Sequence, residues 1–172
     1  MVGQMPRDAV IETALEYPAI IGKLPAHGDF IARGVAYGAR DDFDRWLSSW
    51  MQAGRDRHGV DFDAVYEVAA PFLFEGERCT AILMPSMDAV GRLYPILAVT
   101  GALCRTQEVY DCLISGLQDA LPSDGLRNRL CALKEVERST ARLEWFLPEG
   151  AEPSLPSPGE VAGWSSVEGN FM

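Results

Sequence analysis

The hydrophobic pattern of the chain is organised around two apolar runs, at residues 79–84 and 93–103, which a polar connection at residues 85–92 separates. Short apolar runs that are rich in Ile, Leu, Val and Thr are typical of strands buried on both faces of a sheet. Pro85 and Pro95 bracket the connection, and proline is confined to strand ends and bulges because it has no backbone donor for the ladder. We therefore expect the polar connection to lie at one end of a covered sheet.

Three further segments have strand character. Residues 19–24 are mainly apolar and end at Pro25, residues 71–74 form a brief run, and residues 143–147 are rich in large apolar side chains. A turn at residues 75–77 leads from the run at 71–74 into the first central run, which predicts three neighbouring strands.

From Asp41 the period of the pattern becomes helical. The apolar positions that share one face are Phe43, Trp46, Leu47, Trp50 and Met51. Asp41 or Asp42 can cap this helix, and Gly54 or Gly59 can close it.

Three more helices are predicted. The first is a short turn at residues 61–68, the second begins at a Thr106 cap and stops at Pro122, and the third begins at a Ser123 or Asp124 cap. The inward positions are Val109, Tyr110, Leu113, Ile114, Leu117 and Leu121 in the second, and Leu126, Leu130 and Leu133 in the third. The positions predicted to face solvent on the third are Arg127, Arg129 and Lys134.

The length of 172 residues fits one hydrophobic core. We expect a leader at residues 1–18 (a short helix or an irregular segment), a single α/β domain at residues 19–150, and a tail rich in Pro, Gly and Ser at residues 151–172.

Charge and composition narrow the class of protein. The net charge of -10 and pI of about 4.6 oppose the attraction to phosphate on which nucleic-acid binding depends. The four cysteines are widely spaced without interleaved histidines, so neither a zinc site nor a redox pair is indicated. The first 17 residues resemble neither a secretory signal nor a transit peptide, and no apolar run approaches the ~20 residues that span a bilayer. A cytoplasmic location is expected.

Candidate chemistry is concentrated in two segments. Residues 22–34 read GKLPAHGDFIARG and are called the first motif segment; residues 82–95 read ILMPSMDAVGRLYP and are called the second motif segment. The glycines at 22, 28 and 34 indicate turns, or close approaches that a side chain would block.

The two motif segments contain the residue types of a Ser/His/Asp hydrolase, namely Ser86, His27 and Asp29. Ser86 lacks the flanking glycines of a nucleophile elbow, however, and Lys23 is not preceded by the run of amides that a phosphate-binding loop needs. We expect instead that Asp29 accepts hydrogen bonds from backbone amides in a glycine-rich turn and that His27 is an exposed turn residue.

The second motif segment has a structural explanation for each polar residue. Asp88 can accept from an amide one or two positions later, and Gly91 can adopt a positive φ that reverses the loop. A guanidinium near a sheet end usually binds a carboxylate. Arg92 is therefore predicted to pair with Asp29 or Asp88 and to tie the two motif segments together. If the loops instead form an exposed patch, partner binding is indicated.

The two motif segments, in this order and with the helical sequence DDFDRWL at 41–47 between them, resemble the TagF family of type VI secretion-associated proteins. The resemblance covers residues 19–103. Val35 and Ala36 stand where a Leu-Pro pair is usual in the family, and the C-terminal third of the chain is only loosely similar.

The resemblance implies an α/β fold, a three-layer α/β/α sandwich with a mixed, largely antiparallel central sheet. It also implies a non-catalytic cytoplasmic regulator, without cofactor or metal, that represses type VI secretion after translation through a forkhead-associated scaffold protein. The candidate interaction residues are Gly22, Lys23, Pro25, Gly28, Asp29, Phe30, Pro85, Ser86, Asp88, Gly91, Arg92 and Pro95. The alternatives are the small hydrolase and a structural accessory component of the secretion apparatus.

Overall fold

The computed structural model describes residues 15–69, 71–75, 79–101, 104–133 and 165–166. The strands are β1 (Leu15–Gly22), β2 (Ile31–Val35), β3 (Phe72–Glu75), β4 (Cys79–Met84), β5 (Ile96–Gly101) and β6 (Ser165–Ser166). The helices are α1 (Arg40–His58), α2 (Phe62–Glu67), α3 (Thr106–Gln118) and α4 (Ser123–Cys131), and short 3-10 turns at Tyr37–Ala39 and Gly59–Asp61 lead into α1 and α2. None of the helices in these ranges has the length and apolar character needed to cross a membrane.

The six strands form one sheet in the order β2-β1-β5-β4-β3-β6. Every described pairing is antiparallel, so these strands include no parallel pair of the kind that a mixed sheet would contain. The predicted α/β class is confirmed, as is the prediction that β3, β4 and β5 are neighbours.

Helices cover both faces of the sheet. In β4, Ala81 and Leu83 belong to the core that α1 and α2 cover, whereas Ile82 and Met84 belong to the core that α3 and α4 cover. Side chains on a strand alternate between faces, so a strand between two helical layers is buried at every position and is mainly apolar. All six residues of β4 are buried, which explains its mainly apolar sequence; the hydroxyl of the polar residue Thr80 donates to the carbonyl of Cys104 at 3.4 Å.

The predicted inward face of α1 is confirmed. Its buried residues are Phe43, Trp46, Leu47, Trp50, Met51 and Gly54. The predicted cap is wrong: Ala39 holds the N-cap position, and Asp41 and Asp42 lie in the first turn, where their charge still favours the positive end of the helix dipole. Gly59 closes the helix.

The two later helices begin at Thr106 and Ser123, the residues predicted as caps, so Arg105 and Pro122 hold the N-cap positions instead. Leu126 and Leu130 face inward as predicted. Arg127 does not simply face solvent, because its Nε donates to the carbonyl of Pro18 at 2.9 Å and links α4 to β1. Lys134 lies outside the described residues.

Three boundaries differ from those predicted. β1 begins at Leu15, inside the predicted leader, and ends at Gly22 instead of residue 24. β5 is shorter than the apolar run at 93–103 because pairing with β1 and β4 starts only after Pro95. Ser165–Ser166 pairs with β3 although it falls in the predicted tail. The predicted strand at residues 143–147 lies outside the described residues.

Candidate functional site

The second motif segment forms the closed end of the β4–β5 hairpin. Beyond the ladder, Met87 bridges Leu93, and the amide of Asp88 donates to the carbonyl of Arg92 at 3.1 Å. A three-residue turn remains, and it ends in Gly91 with φ 84°. This is the common three-residue hairpin loop, which needs a left-handed residue at that position.

The carboxylate of Asp88 is the centre of the site. Its Oδ1 accepts from the amides of Val90 at 3.1 Å and Arg92 at 2.9 Å. Its Oδ2 accepts from the Lys23 ammonium at 3.0 Å and from Arg92 Nε at 2.6 Å. The Asp88 side chain is 0% exposed, compared with 62% for Arg92, so the carboxylate is buried beneath a guanidinium that reaches solvent.

These donors determine the ionisation of Asp88. Burial alone would raise its pKa, but the hydrogen bonds from the Arg92 amide, the Lys23 ammonium, the Arg92 guanidinium and the Val90 amide outweigh burial. The pKa of this carboxyl is therefore held well below its usual range, and the group is charged at neutral pH.

Arg92 ties the two motif segments together, as predicted. It pairs with Asp88 and not with Asp29, and its second nitrogen donates to the carbonyl of Gly28 at 2.7 Å. The amide of Ala89 donates to another carbonyl of the first motif segment, that of His27, at 2.8 Å. The turn and the first motif segment are thus joined by side-chain and backbone contacts.

Ser86 is held from both sides. Its hydroxyl donates to the carbonyl of Lys23 at 2.8 Å. The Tyr66 hydroxyl of α2 donates to the Ser86 carbonyl and accepts from the Ser86 amide, each at 3.0 Å. Burial raises the pKa of the Tyr66 phenol above its usual value, so this donor stays protonated.

Tyr94 connects the site to α1. Its hydroxyl donates to the Asp44 carboxylate at 2.6 Å, and burial together with this bond raises the pKa of the phenol. The ring of Phe30 meets the Tyr94 ring edge-on at 5.9 Å, and the Lys23 ammonium lies 5.5 Å from the Tyr94 ring centre. Phe30 thus has a structural role in the first motif segment.

His27 is half-buried, and the prediction that it is an exposed turn residue is wrong. Its Nε2 accepts from the amide of Ser123, the first residue of α4, at 2.9 Å. An unpaired amide at a helix start favours such an acceptor. Because His27 binds Ser123 and the Ser86 hydroxyl binds Lys23, the described residues do not assemble the Ser/His/Asp arrangement.

Gly22 marks a close approach of two strands. Its φ is 129°, and a Cβ at this position would lie 2.1 Å from the carbonyl oxygen of Pro95. The next amide, that of Lys23, donates to the same carbonyl at 3.2 Å. The positive φ and the lack of space for a Cβ both require a glycine at this position.

Two predictions for the first motif segment are wrong. A Cβ added to Gly28 would meet no atom within 4 Å, and the φ of Gly28 is not positive, so neither reason for a glycine applies. Asp29 is exposed and has no hydrogen bond to any residue in the described ranges; Asp88 accepts from the backbone amides instead.

The fixed hairpin turn presents an apolar tip to solvent. Val90 is 73% exposed and Met87 is 40% exposed, while Asp29 lies exposed on the neighbouring first motif segment. Pro25 and Pro85 are half-buried at the two turns, and Pro95 is buried. The described residues contain no group of three or more side chains placed to hold a metal ion. The exposed part of the site thus combines the apolar side chains of Val90 and Met87 with the carboxylate of Asp29.

Sequence reasoning missed the two tyrosines that support the site. Tyr66 lies on the same helical face as Phe62, a pattern that predicts burial but not the hydroxyl's partner. Tyr94 belongs to the second motif segment itself. Its position next to Pro95, where strand pairing begins, could have indicated that it lies at the site.

Both motif segments lie within a match to a known protein family. The family model described as "TagF N-terminal domain, Type VI secretion system-associated" matches residues 19–133, which include both motif segments. No curated protein matches the chain significantly.

A crystal structure of PA0076 from Pseudomonas aeruginosa PAO1, determined at 2.05 Å resolution, has a similar fold. The TM-score is 0.53 and the identity is 22%, with 88% of this chain and 71% of that chain covered. The residues matched by the family model contain the whole site around Asp88, and the chain belongs to the TagF family of type VI secretion-associated proteins.

Proposed function

We propose that this protein is a non-catalytic cytoplasmic regulator that represses type VI secretion after translation by binding a forkhead-associated scaffold protein of the system. Family membership supports the link to type VI secretion. The repression, the location and the scaffold partner are the proposed part.

The observation that carries the proposal is the exposed apolar tip on an immobilised turn. The Val90 side chain is 73% exposed, although the Val90 amide donates to the buried Asp88 carboxylate. Surface loops that are held rigid bind partners with a smaller loss of conformational freedom. Apolar side chains at the tip supply the contact area, and the turn supplies its shape.

The test is binding between the purified full chain and the forkhead-associated scaffold protein of the same secretion system, measured by calorimetry. We expect a complex that Val90→Asp weakens at least about tenfold, because a charge would enter an apolar contact. Gln118→Glu adds the same charge at the exposed end of α3 and should leave the affinity unchanged.

Secretion in cells tests repression. Deleting the gene should raise export of a secreted marker, and the Val90→Asp variant should fail to restore repression. Reduced export after deletion would contradict repression, and absence of the complex would contradict the scaffold partner. Hydrolysis of an ester by the purified chain, with turnover lost in Ser86→Ala, would contradict the non-catalytic role.

A further inference from the structure

Exposed apolar residues lie in the turn before α2, in α2 and directly after it, and are together called the stripe. Val60 is 101% exposed and Val68 is 83% exposed. Ala64, midway between them, is also exposed. The three residues recur every four positions, whereas Phe62 and Tyr66 point into the core.

The stripe lies opposite the buried face. Within α2 each residue is turned by roughly 100° from the one before, so Ala64 points away from the buried Phe62 and Tyr66. Single exposed apolar residues are common and need no explanation. Val60 in the turn, Ala64 in α2 and Val68 just after α2 are exposed, whereas Phe62 and Tyr66 are buried, so this segment presents several apolar side chains to solvent, as surfaces that contact a partner do.

Acidic residues border the stripe. Asp61, Asp63 and Glu67 are all exposed, and in the described ranges none of them forms an ion pair. A described cation that contacts α2 is Arg55, whose guanidinium lies 4.9 Å from the centre of the Phe62 ring. The three carboxylates of the border are therefore exposed and can form ion pairs with a partner.

We propose that the stripe of Val60, Ala64 and Val68, with its acidic border, docks a basic amphipathic segment of a partner protein. Apolar side chains of that segment would cover the valines, and lysines or arginines would pair with the border. A second copy would bring the same carboxylates together, and an anionic lipid or nucleic acid surface would be repelled. The stripe and the hairpin tip share no residue, so different variants test the two proposals and either one can fail alone.

The probe is a synthetic amphipathic helical peptide with leucine on one face and lysine on the other, labelled with a fluorophore and titrated with the full chain. We expect saturable binding that falls as salt rises. Val60→Ser with Val68→Ser should weaken binding about tenfold, and so should Asp61→Asn with Asp63→Asn and Glu67→Gln. All five positions are exposed, so circular dichroism should show an unchanged fold.

A charge-matched variant provides the control. Asp41→Asn with Glu108→Gln and Asp111→Asn removes three carboxylates from α1 and α3 and should leave binding unchanged. Equal weakening by this variant would mean general attraction to an acidic protein and would overturn the proposal. Equal binding of a peptide with glutamate in place of lysine would overturn it as well. Dimerisation of the chain, lost in the double serine variant, would show that a second copy covers the stripe instead.

Discussion

The ammonium of Lys23 donates to the carboxylate of Asp88 at 3.0 Å, although the two residues are 65 positions apart in the chain. One oxygen of the same carboxylate accepts from two cations and the other accepts from two backbone amides. A single buried acid therefore closes the hairpin turn and fastens the first motif segment to it.

Replacing this acid should loosen both motif segments. Asp88→Asn leaves the ammonium and guanidinium without their counter-charge, and removing one partner of a buried pair destabilises more than the pair itself contributes. We expect a clearly lower urea midpoint by fluorescence. Asp29→Asn changes an exposed carboxylate and is the matched control. Equal midpoints for the two variants would show that the buried pair is not important for stability.

The lowered pKa of Asp88 predicts a pH dependence. Because the folded pKa lies below the unfolded one, the stabilisation is complete above about pH 4 and is lost as the pH falls toward the folded pKa. The difference in unfolding free energy between the natural chain and Asp88→Asn should therefore shrink below about pH 4. Urea titrations from neutral to acidic pH measure it, and a constant difference across that range would contradict the assigned charge state.

Gly22→Ala should destabilise the strand contact. The new Cβ would collide with the Pro95 carbonyl, and φ of 129° is unfavourable for alanine. We expect a loss of about 3 kcal/mol. Gly28→Ala meets no atom within 4 Å and should change stability by less than about 0.5 kcal/mol. Similar losses in both variants would refute the distinction.

Tyr66→Phe removes the hydroxyl that binds the Ser86 backbone. The Ser86 amide and carbonyl would lose a buried partner, at a cost of about 1–3 kcal/mol in unfolding free energy. Tyr110→Phe serves as control, since the half-buried Tyr110 hydroxyl makes no hydrogen bond within the described residues. Thermal unfolding by calorimetry compares them, and an unchanged Tyr66→Phe would argue against the support of the turn by α2.

His27→Ala should loosen the start of α4. Loss of the acceptor for the Ser123 amide resembles the loss of a helix cap, which costs about 1 kcal/mol. Hydrogen exchange of the Ser123 amide should accelerate, while the Asp119 amide, bonded to the Ser115 carbonyl, provides an internal reference. Unchanged protection of Ser123 would contradict the assigned role.

The apolar pattern predicted the covered sheet well, because strands between two helical layers are mainly hydrophobic on both faces. The five inward residues predicted for α1 are all buried for a similar reason. Strand ends were less predictable: β1 continues through Pro18 to Leu15, where a proline normally suggests a boundary.

Partners across the site could be predicted only in part. Arg92 and Asp88 are only four residues apart in the sequence, so their pairing could be predicted. The bonds from Tyr66 to Ser86 and from Ser123 to His27 depend on how helices pack on the sheet. Residue type alone does not reveal such contacts, since a tyrosine or histidine on a packed face has many available partners.

The register of β4 cannot be set by a difference between a buried and a solvent-exposed face of the sheet. When one face of a sheet is exposed to solvent, a register shift of one residue is unfavourable because it moves the hydrophobic side chains to the solvent-exposed face. Neither face of β4 is exposed to solvent, since all six of its residues are buried. A slipped β4 would be disfavoured by mismatched side-chain volumes, such as Ala81 in the space that Ile82 fills, and by removal of the Thr80 hydroxyl from the Cys104 carbonyl. The hairpin's locked end, in which the Asp88 amide meets the Arg92 carbonyl, then supplies the starting point from which the β4–β5 pairs are counted.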